Sequence, residues 1–134
     1  VEHAADYGIK PEDVVVDPLV MPIGAISQAG NHVLELVRKL RSELQVNTTC
    51  GASNVSFGLP QRNGINNAFL PMLIAAGMTS AIVNPLHPEL GQAIRAGDVL
   101  TGVDDGCGSW IKAYREPTAD GSDVRDGRRR RKRA

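Results

Sequence analysis

Three observations along the chain predict an α/β fold with parallel strands. Short β-branched runs alternate with longer apolar helical patterns, strand then helix, three times. Successive runs start about 35 residues apart, the spacing of a βαβ unit, which implies parallel strands joined by right-handed crossovers. Two of the runs, "VVVDP" and "AIVNP", close on a polar residue followed by Pro, a stop that fits a strand end but not a continuing strand. Three strands cannot close a barrel. They form an open sheet with exposed edges, or the end of something larger.

Each element follows from its pattern. A short helical tail precedes "DVVVD" (Asp13 to Asp17), whose continuous apolar character predicts a strand buried on both faces. From Ser27 the period changes. Val33, Leu34, Val37, Leu40 and Leu44 recur at three- and four-residue steps, with Glu35, Arg38, Lys39, Arg41 and Glu43 on the other face. "LQVNTTC" (Leu44 to Cys50) reads as the second strand, and the Gly- and Asn-rich stretch "CGASNVSFGLPQRNGIN" (Cys50 to Asn66) as a long loop. A helix over Ile65 to Met78 contains Pro71, which kinks it or lies near its first turn. "SAIVNP" (Ser80 to Pro85) is the third strand. The next helix starts at Pro88, a residue suited to a first helical position, and runs to Asp104. "GSWIKAYRE" extends it after a break at Gly106 and Gly108, and beyond Pro117 disorder is expected.

Composition excludes several function classes. Aromatics are 4% of the 134 residues, too few for a base-stacking platform, so nucleic acid is not the expected partner. No apolar run is long enough for a bilayer, and the first residues lack a signal-peptide layout, so a cytoplasmic protein is expected. The formal net charge of zero hides an asymmetry: seven of the 15 Lys/Arg but two of the 15 Asp/Glu fall within Gly121 to Ala134. The remaining body is acidic, and the basic end "RDGRRRRKRA" reads as a solvated, disordered tail. Cys50 and Cys107 have neither metal-ligand spacing nor the number for a disulfide framework, so reduced thiols and no metal are expected.

In parallel α/β folds chemistry gathers where strands end. Those positions here hold Asp17, the Cys50–Asn66 loop and Asn84. They include no nucleophile–base pair and no phosphate-cradling loop, and His3, His32 and His87 are scattered. What remains is a set of hydrogen-bonding groups with one carboxylate, suited to binding and orienting a flat polar ring. Asp17 precedes a proline, which fixes its backbone as extended. Its carboxylate either receives two parallel N–H donors, as a 2-amino-pyrimidinone edge presents, or caps its own loop. The Asn54 amide can donate or accept, so it can serve a ring nitrogen in either protonation state, or it is turn chemistry.

The stretch "GASNVSFGLPQRNGINNAFLPMLIAAGMTSAIVN", with "VVDPLVMPIG" before it, resembles the pterin-binding methyltransferase family. That family includes the folate-binding module of cobalamin-dependent methionine synthase and the methyltetrahydrofolate:corrinoid/iron–sulfur protein methyltransferases. The resemblance covers roughly Tyr7 to Arg115 and implies a TIM (β/α)8 barrel of about 250 residues, of which this chain would be the C-terminal part, about three βα units over residues 1–117. The disordered basic tail, 118–134, lies outside it. A start at Val1 agrees with a fragment. The implied donor is methyltetrahydrofolate, and the implied acceptor is the cobalt of a corrinoid (cobalamin) carried by a partner protein or domain. Asp17 would hold the pterin's 2-amino/N3 edge and Asn54, the catalytic residue, its N5. Gly51, Ser53, Arg62 and Asn84 complete the implied substrate set, with Arg62 either pinning the loop or meeting an anionic tail. A further Asp and Asn come from earlier strands, absent here. The expected partners therefore include a missing N-terminal half-barrel or a second copy of the chain, and a non-catalytic association module is the alternative. Dihydropteroate synthases share the implied fold, but their Gly-Phe-Ser loop and Arg-x-His are replaced here by "GASNVSFG" and "NPLHP".

Overall fold

The computed structural model describes residues 1–116; the expected tail over 118–134 lies outside them. The chain opens with a one-turn helix, α1 (Glu2–Ala5), and a 3-10 turn at Pro11–Asp13. Strand β1 (Val15–Val16) pairs in parallel with β2 (Asn47–Thr48), Val15 opposite Asn47 and Val16 opposite Thr48. The third run joins in parallel through a single bridge, Gly51 opposite Ile82. Two backbone bonds extend that contact: Ser80 N–H to Thr48 O at 3.0 Å and Ile82 N–H to Cys50 O at 2.7 Å. The parallel sense agrees with the sequence pattern, and the ladders are shorter than the apolar runs.

Register separates the two faces. Val46, Thr48 and Cys50 are fully buried against the helices. Their alternates share a face with Val15 and Ile82, which are 57% and 70% exposed. The expectation of a strand covered on both sides is therefore not met: no described element covers this face. Thr48 is held by its neighbour rather than by an apolar shell. Thr79 N–H donates to Thr48 Oγ1 at 3.1 Å, and Thr48 N–H donates to Thr79 Oγ1 at 2.8 Å.

Helix α2 (Ala29–Lys39) buries Val33, Leu34 and Val37, as its stripe predicts. Leu44 departs from that stripe. The last turn, Leu40–Leu44, widens into a π-helix, which shifts the angular step and leaves Leu44 44% exposed. Gln45 then takes a left-handed conformation, and the chain enters β2 three residues later than the run suggests.

Helix α3 (Arg62–Ala76) starts earlier than its apolar pattern, so Pro71 is inside it rather than near its first turn. A proline there leaves the carbonyl of Asn67 without its helical donor. Gly77, at φ 101°, ends the helix in the left-handed region that favours glycine. Helix α4 (Pro88–Leu100) packs on α3 through Leu90, Ile94 and Gly97, spaced at helical steps. Contact there is close: a Cβ on Gly97 would sit 3.1 Å from Ile74 Cδ1 and 3.4 Å from Pro71 Cα. A 3-10 turn at Asp105–Cys107 separates α4 from α5 (Gly108–Tyr114). There the Asp104 carboxylate accepts the Ser109 and Trp110 N–H groups, which hold its pKa below the usual carboxylate value.

Candidate functional site

The candidate residues converge on the carboxyl ends of the strands. Residues Ala52–Ser56 form a 3-10 turn immediately after the Gly51 bridge, so Ser53 and Asn54 follow the carboxyl end of the β2 segment. Ala52 and Val55 are buried beneath the turn while Asn54 is exposed. The Asn54 amide has no hydrogen-bond partner among the described residues and lies over Gly51. A Cβ on Gly51 would be 3.2 Å from Asn54 Nδ2, so glycine at 51 leaves room for the amide to rest there.

The turn is pinned from α3. Ser56 is fully buried. Its hydroxyl donates to Asn66 Oδ1 at 2.8 Å, lies 3.2 Å from Ser53 O, and accepts from Arg62 Nε at 3.0 Å. Arg62 Nη2 donates to Ser53 O at 2.8 Å, and the guanidinium carbon lies 5.7 Å from the Phe57 ring centroid. Arg62 thus pins the loop, one of the two roles expected of it. Asn66 secures the loop as well. Ser56 carries the network and was not singled out by sequence reasoning. The available signal was a second Ser three residues after Ser53, the spacing at which a side chain reaches back along one turn.

Asp17 ends the β1 segment, exposed, and its Oδ1 accepts the Leu19 N–H at 2.8 Å. The cap role is thereby realised with one oxygen, and Oδ2 has no partner among the described residues. Asn84 behaves alike: its Oδ1 accepts the Leu86 N–H at 3.0 Å, leaving its NH2 group to donate outward. Both turns keep short polar side chains exposed just past the strand ends. Of the three histidines, His3 faces Asp6 at 3.7 Å on exposed α1, and His32 lies exposed on α2. His87, read as unremarkable, lines a groove of about 230 Å³ with Ser53, Arg62, Asn63, Asn67 and Asn84. Its place before a Pro-initiated helix was the only sequence hint.

Among the described residues no group of three or more His, Cys, Asp or Glu could hold a metal ion, and no helix is long and apolar enough to cross a membrane. Both cysteines are free thiols. Burial, with the nearby Asp17 carboxylate adding to it, pushes the Cys50 thiol from 9.0 up to about 11. The thiol is therefore protonated and unreactive at neutral pH. Below pH 9 neither the folded nor the unfolded chain ionises it. Between 9 and 11 only the unfolded chain does, so folding stability falls across that window, by up to about 3 kcal/mol. Urea unfolding from pH 8 to 11 should show this extra slope in the wild type relative to Cys50→Ala; parallel curves would refute it.

Residues 1–84, well over half of the chain, match the family described as pterin binding enzyme. The chain is 32% identical over 119 residues to a methylcorrinoid:tetrahydrofolate methyltransferase of Eubacterium limosum, covering 87% of this chain and 43% of that protein. It is 33% identical over 86 residues to a methionine synthase of Mycobacterium tuberculosis (strain ATCC 25618 / H37Rv), covering 59% of this chain and 7% of that protein. The chain thus spans less than half the length of either relative. The matched residues include both strand ends and the pinned turn between them: the chain belongs to the pterin-binding enzyme family.

Proposed function

We propose that this chain binds the pterin of a tetrahydrofolate and supports methyl transfer between its N5 and the cobalt of a corrinoid held by a partner protein or domain. The observation that carries this reading is the exposed, unpartnered Asn54 amide on a turn that Ser56, Asn66 and Arg62 pin to α3. Asp17 would receive the 2-amino/N3 edge through its free oxygen, with Gly51 and Ser53 supplying close backbone and Asn84 a further donor. The corrinoid would supply the methyl acceptor. As the N5–CH3 bond breaks, the methyl leaves without the bonding electrons, the pair stays on N5 and a proton from solvent completes N5–H; N5 is a poor leaving group unless a donor stabilises the developing charge. An amide whose hydrogen bond strengthens only as that charge forms is transition-state stabilisation. The Eubacterium limosum relative is named for the reverse direction, and one transition state serves both.

The sheet face bearing Val15 and Ile82 supports a second part of the reading. On this reading it is the inner wall of a TIM barrel whose other strands lie outside these residues; its exposed apolar side chains and the 43% share of the Eubacterium limosum relative that the chain covers support it. Titration with methyltetrahydrofolate tests the pterin assignment. Asp17→Asn should weaken binding about tenfold or more, because a charge-assisted hydrogen bond becomes a neutral contact. Unchanged affinity would remove Asp17 from the site.

A further inference from the structure

Two of the strand ends carry the same turn. Asp17-Pro18-Leu19 closes with the Leu19 N–H donating to Asp17 Oδ1 at 2.8 Å, and Asn84-Pro85-Leu86 with the Leu86 N–H donating to Asn84 Oδ1 at 3.0 Å. They differ at the leucine. Leu19 sits at φ 59°, in the left-handed region, and Leu86 does not. That conformation is unfavourable for any residue with a Cβ. Gln45, Gln61 and Cys107 share it, but among the four only Leu19 also leaves a large apolar side chain exposed, at 69%. The backbone conformation leads the chain straight into Val20, which is buried in the core. Glycine would make that turn without the steric cost. The leucine side chain itself therefore has no structural use among the described residues.

Resting on the pterin reading above, we propose that Leu19 is a ligand contact whose side chain covers one face of the pterin ring held at its edge by Asp17. The chemistry of a flat polar ring asks for such a group. The side chains proposed for its edge, Asp17, Asn54 and Asn84, make hydrogen bonds in the ring plane and leave the faces to apolar contact, the main lining of most ligand sites. Leu19 is the nearest candidate to the carboxylate. Its own N–H is bonded to Asp17 Oδ1, so a ring bound through Oδ2 lies within reach of its side chain. The exposed Phe57 is engaged elsewhere, its ring centroid 5.7 Å from the Arg62 guanidinium carbon. The unfavourable turn is thus the cost of presenting an apolar side chain beside the carboxylate.

The test titrates the full chain with 5-methyltetrahydrofolate and follows the thermal unfolding of the same proteins. Leu19→Gly should bind about tenfold more weakly, because the apolar contact is gone. Its thermal midpoint should hold or rise, because glycine takes the left-handed region freely. Leu19→Asn, which also tolerates that region, should lose affinity alike. Leu19→Met keeps an apolar side chain of similar volume and should bind nearly as the wild type does. A role confined to the turn gives the opposite order, with the Gly and Asn variants binding like the wild type. That order, a loss in Leu19→Met equal to that in Leu19→Gly, or a midpoint that falls together with affinity in Leu19→Gly would overturn the contact and leave the pterin reading standing. A wild type that fails to bind would overturn both.

Discussion

On the function proposed above, replacing Asn54 with Ala in the protein that carries out the transfer is expected to slow it by about two to three orders of magnitude, while affinity for methyltetrahydrofolate changes less than about fivefold. The asymmetry follows from when the amide acts. In the ground state N5 carries no charge and gains little from a donor that water can replace. As the methyl departs, negative charge accumulates on N5, and the same donor becomes worth about 3–4 kcal/mol in a site where it needs no reorganisation. Single-turnover transfer to the corrinoid protein, paired with equilibrium titration, separates the two effects. Gly51→Ala provides an independent check. Its Cβ would meet Asn54 Nδ2 at 3.2 Å, so the amide must shift, and a loss of transfer of about tenfold is expected, larger than the accompanying loss of pterin affinity. Equal losses of binding and transfer in Asn54→Ala would make Asn54 an ordinary binding contact.

The features legible in the sequence were those set by local chemistry. The Val33, Leu34, Val37 stripe appeared in the structure as predicted because one apolar face needs one neighbour. The parallel sense of the strands followed from spacing, and the strand-end stops at Asp17 and Asn84 were readable from the prolines after them. Tertiary effects were less visible. Leu44 belongs to the apolar repeat, yet a π-turn rotates it outward, and nothing local announces that turn. The start of α3 was hidden because "RNG" lacks an apolar period, although Arg62 is the residue that fastens the helix to the preceding turn. Pro71 inside α3 ran against propensity, and there α4 packs so closely that Gly97 faces Ile74 and Pro71. Ser56 illustrates the limit on the site. Its hydroxyl joins three residues distant by up to ten positions, a partnership that only the folded turn creates.

The largest effect on folding should come from Ile82→Thr, and its sign should depend on what surrounds the chain. Parallel sheets are stable when both faces are covered, but here Ile82 is 70% exposed and Val15 57%. In residues 1–134 studied alone, removing apolar surface from that face has almost no folding cost and lowers the tendency to associate. In a longer protein whose other strands close over this face, the same change puts a hydroxyl in place of a methylene among apolar neighbours and deletes a buried methyl. Stability should then fall by about 2–4 kcal/mol. Urea unfolding of both proteins, with sedimentation of the shorter one, reads the two outcomes together. Val15→Thr should behave alike, since its register with Asn47 sets it on the same face. Unfolding curves shifted by the same amount in both proteins would mean that the face meets solvent in each. The strand ends carrying Asp17 and Asn54 would then belong to an open sheet, and the pterin would have to be held without a barrel wall opposite them.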